Sequence, residues 1–313
     1  MTVGGGATTF VTDAAGFVGT ELVKVLVGRG HQVFGLAPSV EAAQKVRRAG
    51  GTPVMGDLLK PGQWQDEAGT EWVFHLPPHP LMQNGRGTRP ADSLIRTRVE
   101  MDAHLLDAVS TSTTERVVYV ADSNCYGVTG PRPITEDAPL SPSGPAHCLA
   151  PALDRLDGYF VAGLPVITAL PGWVYGNGAW FRERIMDPIL AGRRVLQFGA
   201  SASWVSPIHV HDCARALVHL AEHSEPGSRY FLANSDPIQV HAFAETFARL
   251  ASRPLKVQRL PRSLARMLLG PLVADRLEGD RVFSNIRLRG TGFRFEYPTL
   301  DEGLRQVLGS VDE

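Results

Sequence analysis

The sequence predicts an α/β protein, a doubly wound parallel sheet with a smaller C-terminal substrate lobe. Three observations support this. A short apolar strand at residue 9 passes through small residues into a helix that ends near residue 27. Strands and helices then alternate over ~170 residues, which is typical of a parallel sheet covered on both faces. Beyond residue 171 an aromatic-rich segment shows little alternation, and this marks the second lobe.

The first strand, turn and helix form the opening half of a dinucleotide-binding unit of the Rossmann type. The pattern typical of such a turn is Gly-x-x-Gly-x-x-Gly, and Gly16 and Gly19 fill its second and third places, whereas Asp13 stands in the first. Helix Phe17–Val27 follows, and strand His31–Leu36 completes the unit. Backbone N–H groups at such a helix N-terminus face a pyrophosphate, because the helix dipole favours negative charge there.

The other elements follow in order. The pattern predicts helices Val40–Ala49, Ala91–Ser110, Ala146–Ala162, His211–His223 and Val240–Ser252, and strands Thr52–Met55, Glu71–Leu76, Arg116–Ala121, Pro165–Leu170 and Arg229–Leu232. It also predicts loops at 77–90 and 131–145 and a final lobe of helices from 261 to 308. We assign residues 1–170 and 205–232 to the dinucleotide-binding domain, and residues 171–204 and 233–313 to the substrate lobe.

Composition excludes several classes of function. The 313 residues carry a net charge of −1, so nothing favours binding to nucleic acid or to an anionic membrane. The N-terminus lacks the pattern of a signal peptide, and prolines break the longest uncharged run. Cys125, Cys148 and Cys213 lack paired spacing and suit a reducing cytoplasm. We therefore expect a cytoplasmic protein with a small-molecule substrate and no metal site, and homodimer formation stays open.

Several motifs together resemble the extended short-chain dehydrogenases/reductases, an NAD-dependent epimerase/dehydratase-like superfamily. The motifs keep the family's order over nearly the entire chain, and they are Thr12–Gly19, Gly56–Leu58, His75–Leu76, Tyr126–Gly127, Pro171–Gly176, Ile208–Asp212, Ser284–Asn285, Gly292–Phe293 and Glu302–Leu304.

The resemblance implies NADH or NADPH as cofactor. By their match to family positions, the implied cofactor-binding residues are Asp13, Ala15, Gly16, Phe17, Val18, Gly19, Pro38, Ser39, Asp57, Leu58, Leu76, Pro77, Pro78, His147 and Pro171. The segment 36–39 has neither an acid for a free ribose nor an arginine for a 2′-phosphate, so NAD and NADP both stay open. Asp13 can adopt the turn conformation that glycine favours. Its carboxylate would repel a phosphate but could accept a hydrogen bond from a ribose hydroxyl.

The family's catalytic positions are all changed. Where its serine should end the fifth strand, this chain has Asp122, with Ser123 one step late. The resemblance places Ser143 at the catalytic tyrosine and His147 at the lysine. In the family, lysine and cofactor lower the tyrosine pKa for proton exchange, and a serine hydroxyl is too weak an acid for this role. His147 could donate a proton near pH 7 or contact the ribose; Asp122 could act protonated or cap a loop.

The aromatic-rich segment is the predicted substrate region. Its candidate substrate residues are Trp173, Val174, Trp180, Phe181 and Met186. Aromatic side chains at this density either line a pocket for a large apolar ligand or pack the second lobe, and both can hold at once.

Two functions are consistent with these features. The first is an atypical reductase of a polycyclic aromatic ketone, in which the substrate or water supplies the proton, and it resembles the ketoreductases that tailor aromatic polyketides in antibiotic biosynthesis. The second is a catalytically inactive dinucleotide sensor or interaction protein. A sugar epimerase ranks third, because that chemistry needs the tyrosine in both directions.

Overall fold

The computed structural model describes residues 6–76, 91–141, 150–198, 203–261, 263–264, 267 and 279–310. The strands in chain order are β1 (Thr8–Val11), β2 (Gln32–Ala37), β3 (Thr52–Met55), β4 (Trp72–His75), β5 (Arg116–Val120), β6 (Gly130–Ile134), β7 (Val166–Pro171), β8 (Trp173–Tyr175), β9 (Val195–Phe198), β10 (Trp204–Val205), β11 (Pro207–His209), β12 (Arg229–Leu232), β13 (Ile238–Gln239), β14 (Val257–Leu260) and β15 (Arg281–Phe283).

The helices cover both faces of the central sheet and build the C-terminal part. In chain order they are α1 (Phe17–Gly28), α2 (Val40–Arg48), α3 (Trp64–Glu67), α4 (Ala91–Ser110), α5 (Ala150–Val161), α6 (Ala179–Phe181), α7 (Asp187–Leu190), α8 (Val210–His223), α9 (Ala242–Leu250), α10 (Ile286–Gly290) and α11 (Leu300–Gly309). A π-helical turn, Arg182–Met186, joins α6 to α7. In the described residues no helix is both long and apolar enough to cross a bilayer.

The predicted α/β fold is confirmed by a seven-stranded parallel sheet with the order β12-β7-β5-β4-β1-β2-β3. Alternate residues of each strand face opposite sides. Phe10 packs with Leu105 of α4 on one side, whereas Val11 packs with Leu22 of α1 and Leu217 of α8 on the other. With both faces covered, the strands are apolar nearly throughout, as parallel sheets require. Their carboxyl ends, including those of β1, β4, β5 and β7, meet at one edge.

Two predicted irregular or helical regions contain strands. The expected loop 131–145 begins with β6, and the expected helical lobe 261–308 contains β15, which pairs with β6. Both predictions were wrong at these places. Pro131 and Pro133 have no N–H to donate, but β6 is the edge of a four-stranded sheet with the order β13-β10-β15-β6, where proline is tolerated.

The C-terminal part has its own apolar core. Tyr175, Phe181, Phe243 and Phe247 are fully buried there, beside side chains from α11. Strands β8 and β11 pair in parallel and connect this core to the end of β7. Of the cysteines in the described residues, Cys125 and Cys213 are buried with free thiols.

Candidate cofactor and active site

The turn after β1 has a glycine-like backbone although Asp13 occupies its first place. Asp13 has a φ of 47°, in the left-handed region, and its carbonyl accepts a hydrogen bond from the N–H of Gly16 at 2.8 Å. A methyl group placed on Gly19 would lie 2.0 Å from that same carbonyl oxygen. Asp tolerates left-handed conformations better than most residues. The substitution therefore keeps the turn, and Gly19 is required by the close approach of the backbone.

The residues of this turn fit a dinucleotide pyrophosphate. Gly16 caps α1 without a side-chain hydrogen bond, and the first turn of the helix carries no acid. Ala15, Phe17 and Val18 are partly buried beside it. An uncapped helix N-terminus next to glycines is the common arrangement for binding phosphate. The Asp13 carboxyl is the feature that opposes an anion.

The predicted adenosine side lies at the ends of β2 and β3. Pro38 is exposed, and the Ser39 hydroxyl caps α2 by accepting the N–H of Ala42 at 3.2 Å. The Asp57 carboxylate accepts the N–H of Leu59 at 3.0 Å, and Leu58 is buried. Both polar side chains thus hold local turns, and their contact with a cofactor stays a prediction.

A buried polar network connects the ends of β1, β4 and β5 through α4. The Asp102 carboxylate lies 2.9 Å from His75 Nε2 and 3.0 Å from Arg98 Nε, and it accepts the Tyr119 hydroxyl at 2.7 Å. Thr12 Oγ1 lies 3.0 Å from His75 Nδ1. Thr12 directly precedes Asp13, so the network holds the backbone where the turn after β1 begins.

The hydrogen bonds of the network determine its proton positions. A carboxylate only accepts, so His75 Nε2 carries the proton and donates to Asp102. Thr12 Oγ1 accepts the N–H of Leu76 at 2.8 Å and donates its own proton to His75 Nδ1. Burial lowers the pKa of His75 and keeps the ring neutral. Burial opposes ionisation of Asp102, but the charge of Arg98 and the hydrogen bond from His75 hold its pKa below the usual value.

The predicted catalytic residues that the structure describes are engaged in hydrogen bonds within the protein. The buried Ser123 hydroxyl donates to the carbonyl of Pro171 at 2.6 Å and so ties β5 to β7. The Asp122 carboxylate accepts the backbone N–H of Asn124 at 3.0 Å and its side-chain amide at 2.6 Å. Ser143 and His147 lie outside the described residues, as do Pro77 and Pro78. The structure thus brings Ser123, Asp122 and Pro171 together at one strand edge.

No described tyrosine beside these strand ends is prepared to act as the missing acid. The Tyr126 hydroxyl donates to the carbonyl of Glu136 at 2.9 Å, and burial raises its pKa to about 12. Burial also raises the pKa of Tyr119 and of Tyr175. These phenols hold their protons tightly inside the protein, which is the opposite of the low pKa that the family's reaction requires.

The predicted substrate residues divide by exposure. Phe181 and Met186 are fully buried, so their side chains pack the C-terminal core. Trp173 and Trp180 are partly exposed at its edge, whereas the partly exposed Val174 packs against the core of the central sheet. The two tryptophan rings meet edge to face at 5.2 Å, and Trp180 Nε1 donates to the carbonyl of Val174 at 2.8 Å. Packing therefore involves all of them, and the exposed edge is where an apolar ligand could contact the cluster.

In the described part of the chain, one group of side chains has the spacing of metal ligands. Ligand atoms of His219, Glu222 and His223 on α8 lie within 4.8 Å of one another. Both Glu222 oxygens accept from Arg29 at 2.8 Å, and His219 Nε2 lies 2.8 Å from Thr291 Oγ1. These contacts compete with a metal, and the absence of a metal site stays a prediction.

Arg98 and Asp102 are not among the residues predicted from the sequence. A signal for them was present, because both lie on the apolar stripe of α4 that includes Leu105 and Val109. Charged residues four apart on a buried helix face indicate a buried ion pair.

Comparisons with known proteins agree with this fold. The model of the "NAD dependent epimerase/dehydratase family" matches residues 9–233. The chain is 24% identical over 268 residues, 82% of this chain and 77% of the relative, to a 4-hydroxy-2-methyl-3-oxo-4-farnesyl-3,4-dihydroquinoline-1-oxide ketoreductase from Stigmatella aurantiaca. It is 27% identical over 311 residues, 94% and 98% of the two chains, to a 3-diazoavenalumate denitrifying reductase from Streptomyces.

Solved structures show the same fold. A UDP-glucuronic acid 4-epimerase from Bacillus cereus, in complex with UDP-glucuronic acid and NAD, superposes with a TM-score of 0.81 at 16% identity, over 97% of this chain and 99% of that one. A UDP-glucose 4-epimerase from Thermus thermophilus in complex with NAD superposes with a TM-score of 0.80 at 20% identity, over 97% and 100%.

Proposed function

The chain belongs to the NAD dependent epimerase/dehydratase family, and on that premise we propose that it is an atypical NAD(P)H-dependent ketoreductase. Its substrate in this proposal is a large, apolar, polycyclic aromatic ketone, and the proton comes from the substrate or from water. The observation that carries the proposal is the pairing of a retained phosphate turn with catalytic positions that lack the family's acid. Two relatives named as a ketoreductase and a reductase support the same reaction class.

The cofactor half of the site would hold the dinucleotide. The turn at Gly16 and Gly19 would take the pyrophosphate, and the ends of β2 and β3 would take the adenosine. Leu76 and Pro171, at the ends of β4 and β7, would face the nicotinamide. A bound reduced nicotinamide supplies hydride chemistry. The network around Asp102 holds the ends of β1, β4 and β5 in place. A fixed orientation of the cofactor beside these ends contributes much of the rate.

The proton has to reach the substrate oxygen without a tyrosine. The Ser123 hydroxyl donates to the carbonyl of Pro171 on β7, and the Asp122 carboxylate accepts from Asn124 in its own loop, so both side chains are engaged within the protein. A phenol next to an aromatic ketone polarises that carbonyl through an internal hydrogen bond. Such a substrate needs less from the protein than a sugar does, which is why the proposal favours it over a nucleotide sugar.

The partly exposed tryptophans support an aromatic substrate. Trp173 and Trp180 lie just beyond β7, two to nine residues after Pro171, at the edge of the C-terminal core. We propose that residues 171–204 and 233–313 form the substrate lobe and that residues 1–170 and 205–232 form the dinucleotide-binding domain. Flat ring systems pack well against aromatic side chains, since offset and edge-to-face contacts are both favourable.

Cofactor oxidation with paired substrates tests the proposal. NADH and NADPH binding is measured first by fluorescence. Oxidation is then followed with polycyclic quinones and ketones that carry a hydroxyl beside the carbonyl, and with the same compounds lacking it. We expect faster turnover of the hydroxylated series. Equal turnover of both series would contradict the substrate-assisted route.

Tryptophan variants test the substrate region. Trp180→Ala should raise KM about tenfold with little change in dinucleotide affinity, because a stacking surface worth ~1.4 kcal/mol is lost. The matched control is Trp204→Ala, a residue that is 38% exposed on β10.

The sensor alternative is favoured by the hydrogen bonds that already engage Ser123 and Asp122. If the dinucleotide binds but no ketone is reduced, this alternative replaces the enzyme.

A further inference from the structure

The Asp13 carboxyl lies in the phosphate turn itself. A methyl group placed on Gly16 would be 2.1 Å from Asp13 Oδ2 and 2.8 Å from Oδ1, so the carboxyl group lies directly over the Gly16 Cα. Gly16 is the cap of α1, the point at which a dinucleotide pyrophosphate approaches the helix. A bound cofactor would therefore place its charged groups beside this side chain.

Apart from the N-terminus of α1, the surroundings of the carboxyl offer it little stabilisation as an anion. Among the described residues no group donates a hydrogen bond to either oxygen. Lys45 of α2 is the cation whose charge acts on it. His75 and Asp102, beyond Thr12, are hydrogen-bonded to each other and not to Asp13. Burial raises the pKa of Asp13 to about 7 in spite of Lys45.

We infer that Asp13 binds the dinucleotide in its neutral form, with the carboxyl O–H donating a hydrogen bond to a pyrophosphate oxygen. The proton comes from solvent, adds to the carboxylate, and stays on Asp13 in the complex. Each dinucleotide that binds to a chain with ionised Asp13 therefore takes up one proton. This inference rests on the proposed binding of a nicotinamide dinucleotide.

Two anions at hydrogen-bond distance repel each other, whereas a protonated acid and a phosphate attract. Near pH 7 about half of the Asp13 side chains are already neutral. The affinity for the dinucleotide is then nearly independent of pH well below pH 7. Well above pH 7 it falls tenfold for each pH unit. Between pH 6.5 and 8.5 the Kd should rise about 25-fold.

The test measures NADH affinity and proton uptake together. NADH is the probe because it has no 2′-phosphate, a group that titrates near pH 6 by itself. Calorimetry at pH 8 in two buffers of different ionisation enthalpy should give uptake of about one proton per NADH. Asp13→Asn imitates the neutral acid and tolerates the left-handed backbone. We expect Asp13→Asn to bind with pH-independent affinity and without proton uptake.

Asp13→Gly separates failure of this inference from failure of the proposed function. A parent affinity that is flat from pH 6.5 to 8.5, or equal slopes in the parent and Asp13→Asn, would overturn the role of the proton. If Asp13→Gly binds NADH while the parent binds at no pH, Asp13 blocks the site in both forms and the inference also fails. If a folded parent and both folded variants bind neither NADH nor NADPH, the proposed function fails with it.

Discussion

The two halves of the candidate site depart from the family pattern in different ways. In the cofactor half, at the ends of β1 and β4, Asp13 replaces a glycine but keeps its backbone conformation, and the network around Asp102 supports it. In the catalytic half, at the ends of β5 and β7 and in the β8–β11 pair, the changed residues keep the strand ends in place. The Ser123 hydroxyl donates to the carbonyl of Pro171, and the Asp122 carboxylate accepts the N–H of Asn124.

This difference shows which substitutions at family positions a fold tolerates. A turn needs a backbone shape, and Asp can supply that shape in place of Gly. A proton transfer needs a group of suitable pKa at the reacting atom, and neither a serine hydroxyl nor a buried tyrosine supplies one. Cofactor binding can therefore persist where the usual acid chemistry cannot.

The largest effect on stability is expected when Asp102, the carboxylate at the centre of the buried network in the cofactor half, is replaced. Asp102→Ala leaves Arg98 buried, only 11% exposed, without its carboxylate. Removing one partner of a buried ion pair costs ~3–5 kcal/mol in the free energy of unfolding. Urea unfolding measures the loss.

The matched control for that prediction lies on the same helix. Asp107 is exposed and accepts the Tyr159 hydroxyl, so Asp107→Ala should cost less than ~1 kcal/mol. Equal losses in the two variants would break the comparison, since the network would then not be what holds the cofactor half together.

A smaller effect concerns the buried histidine of the catalytic half. Burial lowers the pKa of His209 to about 4, so the folded protein keeps this ring neutral down to that pH. The unfolded chain takes up the proton below about pH 6.5. Stability contributed by His209 is therefore present above pH 6.5 and is lost as the pH falls towards 4. At pH 5 the loss relative to pH 7 is about 2 kcal/mol.

His209→Asn isolates this contribution. The His209 side chain accepts the N–H of His211 at the start of α8, and asparagine can accept the same bond. The free energy of unfolding of the variant should fall about 2 kcal/mol less than that of the parent between pH 7 and pH 5. Parallel pH profiles would mean that His209 is not the group that titrates on unfolding.

The smallest effect is expected at Ser123. Ser123→Ala removes the hydrogen bond to Pro171 and should cost about 1 kcal/mol of stability, with less than a tenfold loss in rate. Ser110→Ala is the control, since its hydroxyl donates to the carbonyl of Leu106 far from the site. A rate loss of ~10²–10⁴-fold at Ser123 with unchanged cofactor affinity would identify it as a catalytic residue and erase the contrast between the halves.

Much of the fold could be predicted because local patterns encode it. Helix α4 and strands β3 and β12 have the predicted bounds, since apolar periodicity along the chain reveals each element directly. The glycine turn was equally visible, as was the lack of the family's catalytic residues. Strand β6 was missed because its prolines are typical of loops, and only its pairing with β15 makes it a strand.

The sequence by itself determined the order of strands and helices, the glycine turn after β1 and the lack of the family's catalytic tyrosine, because these depend on neighbouring residues. Only the tertiary structure decided that Thr12 contacts His75, 63 residues away, and that His75 in turn contacts Asp102. It also decided that Phe181 is fully buried while Trp180 keeps an exposed edge. Such outcomes depend on contacts between distant segments, and no local period records which buried polar groups will find each other when the strands assemble.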